Sequence, residues 1–183
     1  MRILMIIPGY EPAWSFGGAA SATSQLCRAY ARQGYKIVVY TTNANGKGGW
    51  LDVPLNKPVN LGEVETWYFK GAMGWAKNFY SPDLANMLSE RMHDFDIVHV
   101  SANWQWIQKD VSRLCRKSNM PYVVSAHGSF MPSVWEHGHL KKKLYWKLIS
   151  RSTLLNAASI HFTTDLEEEK TCEKLPELRG VRS

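Results

Sequence analysis

The stretch "MRILMIIPGYEPAWSFGGAASATSQL" (residues 1–26) decides the fold, because it joins a strand pattern to a helix start through a short loop. The apolar run that ends at Pro8 is typical of a strand buried on both faces of a parallel sheet. From residue 21 onward, Leu26 and Tyr30 recur at helical spacing, and Gly34 is a plausible stop. The stretch therefore indicates a strand, a loop and a helix, which is how an α/β sheet begins.

Apolar or β-branched runs alternate with longer amphipathic segments along the rest of the chain. The predicted strands are 2–7, 36–42, 62–69, 96–101, 121–127 and 158–164. The predicted helices are 21–34, 81–95, 104–118, 140–156 and a last helix that Thr164 and Glu167 cap. Because 62–69 alternates more than the others, we expect it near an edge. The pattern predicts a three-layer, Rossmann-like α/β domain with an open parallel sheet and right-handed crossovers.

The composition suits one sizeable domain with anionic partners. The 183 residues are 45% hydrophobic, and the net charge is +6 with a pI of about 9.2. Nucleic acid, an acidic membrane or a phosphorylated small molecule would each suit this charge. The three cysteines are odd in number and far apart, which argues against disulfides and favours a reducing cytoplasm. No window approaches the ~18 apolar residues of a membrane span.

Gly17 and Gly18 stand where the first helix should begin. Glycines there let a ligand approach the backbone, and the free N–H groups of a helix start attract a phosphate. The spacing fits neither G-x-G-x-x-G nor a P-loop, so a dinucleotide or nucleoside triphosphate loses support. Alternatively, the pair serves only a tight strand-to-helix turn. The residues alone leave both interpretations open.

Several motifs together resemble family 4 glycosyltransferases. "LCRAYARQGYKIVVYTT" (26–42) is similar to the family's first helix and second strand, which follow a Gly-Gly. "DFDIVHVS" (94–101) is similar to D-x-h-H-x-H, and "PYVVSAHGSFMP" (121–132) to P-h-V-x-T-x-H-G. "LLNAASIHFTTDLEEEK" (154–170) is similar to A-D-x-h-x-x-x-S-x-x-E. The matches cover nearly the whole chain in the family's order.

The resemblance implies one half of a GT-B fold. Residues 1–183 would form the N-terminal acceptor domain, and a C-terminal donor-binding domain carrying E-x7-E would be absent. The implied reaction moves a sugar from a nucleotide-sugar to a glycan or lipid-linked acceptor with retention of configuration. It needs no metal and no cofactor besides the donor substrate. We expect the chain alone to be inactive.

The resemblance also suggests roles for individual residues. His127 matches the histidine of the H-G motif, which contacts the transferred sugar, and Gly128 follows it on the acceptor side. Gly17 and Gly18 would donate backbone N–H groups to the donor diphosphate. Ser101 stands where many relatives carry a second histidine, which puts an acceptor contact there in doubt.

Other candidate side chains have a competing structural interpretation. Trp14, Phe16 and Trp104 could stack on an acceptor sugar, or they could simply pack against the protein. His99, within a strand, is expected to be a hydrogen-bonded core histidine. His137 and His139 form an H-x-H, which we interpret as two exposed residues because no third ligand follows. The acidic residues 167–169 are expected to form a solvated first helical turn.

The segment "HLKKKLYWKLISRS" (139–152) is a basic amphipathic helix. Its apolar stripe could pack on the sheet while its cations face the headgroups of an anionic bilayer. The cations are Lys141, Lys142, Lys143, Lys147 and Arg151. They predict peripheral attachment to the inner face of the membrane. A helix with solvated lysines is the alternative.

Two other classes of protein remain. A non-catalytic Rossmann-like module would bind a nucleotide or phosphorylated ligand tightly without chemistry. A nucleic-acid binder would suit the pI, but the basic residues concentrate in one helix and no nucleic-acid motif appears, so we expect no nucleic-acid partner.

Overall fold

The computed structural model describes residues 1–46, 49–72, 80–101, 103–136 and 138–183. The strands are β1 (Arg2–Ile6), β2 (Lys36–Thr42), β3 (Pro58–Leu61), β4 (Val64–Phe69), β5 (Ile97–Val100), β6 (Tyr122–Ser125) and β7 (Ser159–His161). The helices are α1 (Gly18–Arg32), α2 (Pro82–Arg91), α3 (Ile107–Lys117), α4 (Pro132–Glu136), α5 (His139–Tyr145), α6 (Arg151–Leu155) and α7 (Asp165–Lys174). A π-helical segment, Trp146–Ser150, joins α5 to α6.

The seven strands form one sheet in the order β3-β4-β2-β1-β5-β6-β7. Every neighbouring pair is parallel except β3 and β4. From β1 the chain builds outward to β2 and β4, and it then returns across the sheet to β5 on the other side of β1. The predicted Rossmann-like α/β fold is confirmed, with its topological switch point between β1 and β5.

Both faces of the sheet are buried, which explains the continuous apolar run of β1. Leu4 and Ile6 belong to a core cluster on one face, whereas Ile3 and Met5 belong to a second cluster on the other. All four side chains are at most 5% exposed. Successive strand residues point to opposite faces, so only an uninterrupted apolar run can fill both cores.

The edge of the sheet differs from the prediction. The strand predicted at 62–69 begins at Val64 and lies inside the sheet, because β3 pairs antiparallel with it and forms the edge. No strand is predicted from sequence at Pro58–Leu61, which follows a Gly- and Pro-rich stretch. Its proline opens the strand at the sheet's border, a position that tolerates a missing N–H.

Helix boundaries follow local signals where a cap is present. Ser81 caps α2 by accepting a hydrogen bond from the Leu84 N–H at 3.4 Å. The first helix begins at Gly18, three residues before the predicted start. The helix predicted at 104–118 begins only at Ile107, and Trp104 has a φ of +65°. Trp104 therefore lies in the loop before α3, and the helical spacing of the sequence does not extend to it.

The basic helix presents a different face from the one expected. Leu140, Leu144 and Leu148 are 73%, 57% and 56% exposed. The inward face is set one residue further round the helix, where Ile149 and Leu154 are buried. The apolar stripe therefore packs inward only in part: Ile149 is buried and Trp146 contacts Phe130, whereas the leucines are exposed.

Candidate sugar-transfer site

The candidate site lies at the carboxyl ends of the central strands, where open α/β sheets bind ligands. The loop after β1 leads there into α1, and the residues after β5, β6 and β7 meet beside it. A hydrogen bond between the hydroxyls of Thr23 and Ser101 joins α1 to the end of β5. That bond crosses the switch point between β1 and β5, so the two halves of the sheet meet at this position.

The two glycines at the start of α1 have different structural needs. Gly17 has a φ of +71° and ψ of −146°, a conformation that requires glycine, and its N–H donates to the Trp14 carbonyl at 2.9 Å. The Gly17 N–H thus has a partner within the loop, and its donation to a diphosphate stays a prediction. Gly18 lies outside the left-handed region, and a Cβ added to it would meet no atom within 4 Å. The fold of the described residues does not demand a glycine at position 18.

The start of α1 offers backbone donors at that open position. An α-helix leaves its first N–H groups without intrahelical acceptors, here those of Gly18, Ala19 and Ala20. Gly18 is exposed, and no acidic side chain lies in the first turn of α1. The dipole and the free N–H groups make this helix start suitable for a phosphate.

The loop between β1 and α1 is held against the helix. The Glu11 carboxylate accepts hydrogen bonds from Ser24 and, at 2.6 Å, from Arg28. Phe16 packs on Gly9, where any Cβ would lie 2.1 Å from the ring. Trp14 is 53% exposed in a single 3-10 turn. Packing thus accounts for Phe16, whereas Trp14 presents an open aromatic surface.

His127 occupies the turn after β6 in a left-handed conformation. Its φ is +46°, and that of the following Gly128 is +72°. Its Nε2 lies 2.8 Å from the Ser101 hydroxyl, which is in turn hydrogen-bonded to Thr23. His127 is thereby connected to the second turn of α1 through two hydrogen bonds. Its Nδ1 has no partner among the described residues and is the ring atom left for a ligand.

Asn103 supports the same turn from the neighbouring loop. Its side-chain amide donates to the carbonyls of Ser125 and Ala126 at 3.1 and 2.9 Å. Gln108 donates in turn to the Asn103 carbonyl oxygen at 3.0 Å. The backbone immediately before His127 is therefore held by buried amides of the loop after β5 and of α3. This contribution is not predictable from sequence, because an Asn in a loop carries no distinctive motif.

Burial lowers the pKa of two histidines at the site. Burial and the nearby His161 lower the pKa of His127, an effect that the Glu167 carboxylate partly opposes. His99 is 7% exposed and lies 2.6 Å from the Ser125 hydroxyl. Burial, followed by His161 and His127, lowers the pKa of His99 to about 4. The predicted role of His99 as a hydrogen-bonded core residue is confirmed.

The depressed pKa of His99 makes the protein sensitive to acid. A histidine in the unfolded chain binds its proton near pH 6.5, whereas His99 in the folded protein does so near pH 4. The contribution of His99 to the free energy of unfolding is therefore complete above pH 6.5 and is lost as the pH falls toward 4. We expect a loss of about 3 kcal/mol in the free energy of unfolding across this window. Urea unfolding at pH 7 and pH 4 measures it. His99→Gln cannot titrate and should lose less over the same interval; equal losses would contradict the assignment.

Glu167 is buried, although the sequence analysis expected it to be solvated. It is 3% exposed, and its carboxylate accepts hydrogen bonds from the Gly128 N–H and from both the N–H and hydroxyl of Thr163. The last two distances are 2.7 and 2.6 Å. The predicted capping by Thr164 is present, since its hydroxyl accepts from the Glu167 N–H at 3.1 Å. The expectation of a solvated acidic turn is wrong for Glu167, because this side chain turns inward to the Gly128 backbone.

Trp104 belongs to an aromatic cluster packed on the core. Its ring centroid lies 5.2 Å from those of Phe130 and Trp135, and the Lys142 amine lies 5.9 Å from it. The Trp146 ring packs inward, with its centroid 5.8 Å from that of Phe130. Packing accounts for these aromatic residues, and the acceptor role of Trp104 stays a prediction.

Two further features of the described ranges concern metal binding and membrane crossing. Within these ranges, no three His, Cys, Asp or Glu side chains are grouped so that they could hold a metal ion. His137 and the side chain of His139, the predicted exposed pair, lie outside the described residues. None of the described helices has the length and apolar content required to cross a bilayer.

Solved structures with the same fold are glycosyltransferases of the GT-B type. One is the Anabaena protein Alr3699/HepE in complex with UDP and glucose, with a TM-score of 0.57 and 14% identity over 100% of this chain and 42% of that one. Another is E. coli trehalose-6-phosphate bound with UDP-2-fluoro glucose, with a TM-score of 0.58 and 16% identity over 97% and 43%. A third is sucrose-phosphate synthase from Thermosynechococcus elongatus, with a TM-score of 0.56 and 14% identity over 100% and 47%. The chain thus spans less than half of each of these structures.

Sequence comparison gives the family. No curated protein sequence matches the chain. The family model described as "Glycosyl transferase 4-like domain" matches residues 17–176, which include the start of α1, the His127 turn and Glu167. The chain therefore belongs to the glycosyl transferase 4-like domain family.

Proposed function

We propose that this chain is the N-terminal, acceptor-side domain of a retaining glycosyltransferase, which moves a sugar from a nucleotide-sugar to a glycan or lipid-linked acceptor. The observation that carries the proposal is the hydrogen-bonded chain from Thr23 through Ser101 to His127. It holds a neutral imidazole beside the helix that begins at Gly18. A phosphate and a sugar bound at these two positions would be adjacent.

The open start of α1 is the proposed contact for the donor diphosphate. Gly18 leaves room for a ligand, and the first-turn N–H groups provide donors. The similar Anabaena and E. coli structures contain UDP and UDP-2-fluoro glucose, which supports a nucleotide-sugar as the donor. They also extend well beyond the part that this chain covers. We infer that a C-terminal domain supplies most of the donor contacts. The chain described here would then be inactive on its own.

The proposed chemistry needs stabilised charge more than a protein nucleophile. The bond between the anomeric carbon and the diphosphate breaks, and the acceptor oxygen bonds to that carbon on the same face. The acceptor proton passes to an oxygen of the leaving phosphate, so no metal or other cofactor takes part. The Nδ1 of His127 hydrogen-bonds the transferred sugar, a role that suits an imidazole whose pKa is lowered and which is therefore neutral.

The acceptor lies, in this proposal, on the other side of the His127 turn. Trp14 offers an exposed ring for stacking on a sugar, and Phe16 supports the loop that carries it. Gly128 allows the acceptor to approach the turn, because a Cβ there would meet only the Met131 side chain at 4.0 Å. Trp104 is the weaker candidate, because its ring already packs in the aromatic cluster.

Gly18→Val tests the diphosphate contact. A Cβ at this position would meet no protein atom within 4 Å, so we expect unchanged folding stability within about 0.5 kcal/mol. It would occupy the space assigned to the phosphate, so the KM for the nucleotide-sugar should rise about tenfold or more in the glycosyltransferase containing this domain. Initial rates at varied donor concentration measure the effect, and the anomeric proton signal of the product reports retention.

Gly180→Val is the matched control for this experiment. Gly180 also has no atom within 4 Å of an added Cβ and has no left-handed backbone, but it lies at the end of the chain described here. We expect its KM to stay at the wild-type value. A Gly18→Val enzyme with wild-type kinetics would show that the glycine pair serves only the turn.

The alternative function is a non-catalytic module that binds a nucleotide or phosphorylated ligand. Calorimetry of this chain with UDP separates the two. An acceptor-side domain should bind UDP weakly, with a Kd on the order of 1 mM, whereas a dedicated module should reach the micromolar range. Micromolar binding by the isolated chain would favour the module.

A further inference from the structure

An exposed apolar groove runs along the basic helix. Leu140, Leu144 and Leu148 form its outer wall and are each more than half exposed. The groove has a volume of about 330 Å³. Its complete lining is Trp106, Leu140, Lys141, Leu144, Tyr145, Leu148 and Ile149. A monomeric protein rarely leaves three neighbouring leucines in water without a partner.

A second, basic groove adjoins the first. It has a volume of about 540 Å³, and Leu148 and Ile149 line both grooves. Its cations come from α3, namely Lys109, Arg113, Arg116 and Lys117. The sequence analysis assigned the cationic surface to the segment 139–152 alone. The structure adds the α3 cations to it, because α3 and the π-helical segment pack side by side.

The charge of these elements is strongly one-sided. The helix α3 and the segment from α5 to α6 contain nine Lys or Arg residues and one acid, Asp110, a net charge of +8. The whole chain carries +6, so the remainder carries −2. Asp110 pairs with Arg113 at 3.2 Å. Such a concentration of like charge is stabilised by an anionic partner.

Lys142 and Arg151, which belong to the predicted surface cations, have partners within the protein. Lys142 donates to the Val134 carbonyl and lies over the Trp104 ring. Arg151 pairs with Glu177 at 3.4 Å. The basic groove of α3 therefore replaces them as the main contact for an anion, with Lys143 and Lys147 on the exposed side of the helix.

We propose that the two grooves form one lipid-binding surface for an anionic membrane. The leucine groove takes up acyl chains at the interface, and the α3 groove binds lipid phosphates. Nucleic acid would satisfy the cations but would leave the leucines in water. A protein partner would have to match a surface whose apolar strip is bordered by a net charge of +8. Only a bilayer surface offers hydrocarbon and phosphate side by side along the whole groove.

Vesicle flotation of the purified chain tests the surface. We expect binding to phosphatidylglycerol vesicles and little binding to phosphatidylcholine vesicles. Arg116→Glu/Lys117→Glu should weaken the apparent partition coefficient by about 30-fold, since each cation near an anionic surface contributes ~1 kcal/mol. Leu144→Ser/Leu148→Ser should reduce the binding that persists at high salt, because salt screens the charges and leaves the apolar contribution.

Lys36→Glu/Lys57→Glu is the matched control. Both lysines are exposed and lie at β2 and next to β3, in the half of the sheet away from β6 and β7. The double substitution changes the net charge by the same amount as Arg116→Glu/Lys117→Glu. We expect this variant to bind within twofold of wild type. Equal losses in the two charge-reversal variants, leucine variants that bind like wild type, or absence of binding to phosphatidylglycerol would each overturn the proposal. Since the assay involves no donor or acceptor sugar, its outcome is independent of the proposed transferase function.

Discussion

Replacing Glu167 by alanine is expected to lower the free energy of unfolding by about 4 kcal/mol. The carboxylate is buried and accepts three hydrogen bonds, from the Gly128 N–H and from the N–H and hydroxyl of Thr163. Hydrogen bonds to a charged group contribute about 1.5–3 kcal/mol each, and water entering the vacated space recovers part of the loss. Urea unfolding of the purified chain at pH 7 measures the change.

Glu169→Ala is the control for this substitution. Glu169 lies on the same helix, is exposed, and its carboxylate is 4.0 Å from the Lys170 amine. We expect its effect to be within about 0.5 kcal/mol. Glu167→Gln keeps one acceptor oxygen but turns an NH2 group toward one of the three donors. Its loss in the free energy of unfolding should therefore lie between those of Glu169→Ala and Glu167→Ala. A Glu167→Ala variant that loses less than 1 kcal/mol would mean that the buried carboxylate does not hold the His127 turn.

Replacing His127 by alanine is expected to lower kcat about 100-fold in the glycosyltransferase that contains this domain. The imidazole would stabilise the sugar during transfer, and a positioned hydrogen bond of this kind contributes about 10²–10³ in rate. Because burial lowers the His127 pKa, the neutral form should be active, and kcat should fall as the pH drops through that pKa. Initial rates at saturating donor and acceptor, from pH 5 to pH 8, measure both effects.

Two further variants separate chemistry from backbone strain at position 127. Asparagine tolerates a φ of +46° and still offers hydrogen bonds, so His127→Asn should retain more activity than His127→Ala and lose the acid limb of the pH profile. His93→Ala, in an exposed 3-10 turn after α2, should retain the wild-type rate. If His127→Asn and His127→Ala are both as active as His93→Ala, the histidine has no part in transfer.

The family resemblance was read correctly from sequence because its signals are local. A buried parallel strand must be apolar on both faces, so the pattern of β1 is visible without any partner. Ser81 followed by Pro82 marks the start of α2 through the needs of the first helical turn alone. The His127–Gly128 dipeptide is recognisable for the same reason, as is the glycine pair at the first helix.

The arrangement of the site depended on contacts between distant segments. Glu167 follows Gly128 by 39 residues, so no local pattern shows that its carboxylate turns inward to that backbone N–H. The helical turn alone suggested a solvated acid, because the dipole favours one there. Likewise, the turn requires a glycine at position 17, whereas the fold does not require one at position 18. This difference is visible only in the backbone angles and the surrounding space.

The sequence by itself determined the alternation of strands and helices, and with it the α/β class, because each element's period and caps are properties of neighbouring residues. The tertiary structure alone decided which face of each element is covered. The basic helix shows this, since its period is correct and yet Leu144 is exposed while Ile149 is buried. The apolar side chains of this helix form a broad stripe, so turning the helix by one residue, about 100°, still places apolar side chains on the inward side. Only packing against α3 and the sheet could therefore select which side is exposed.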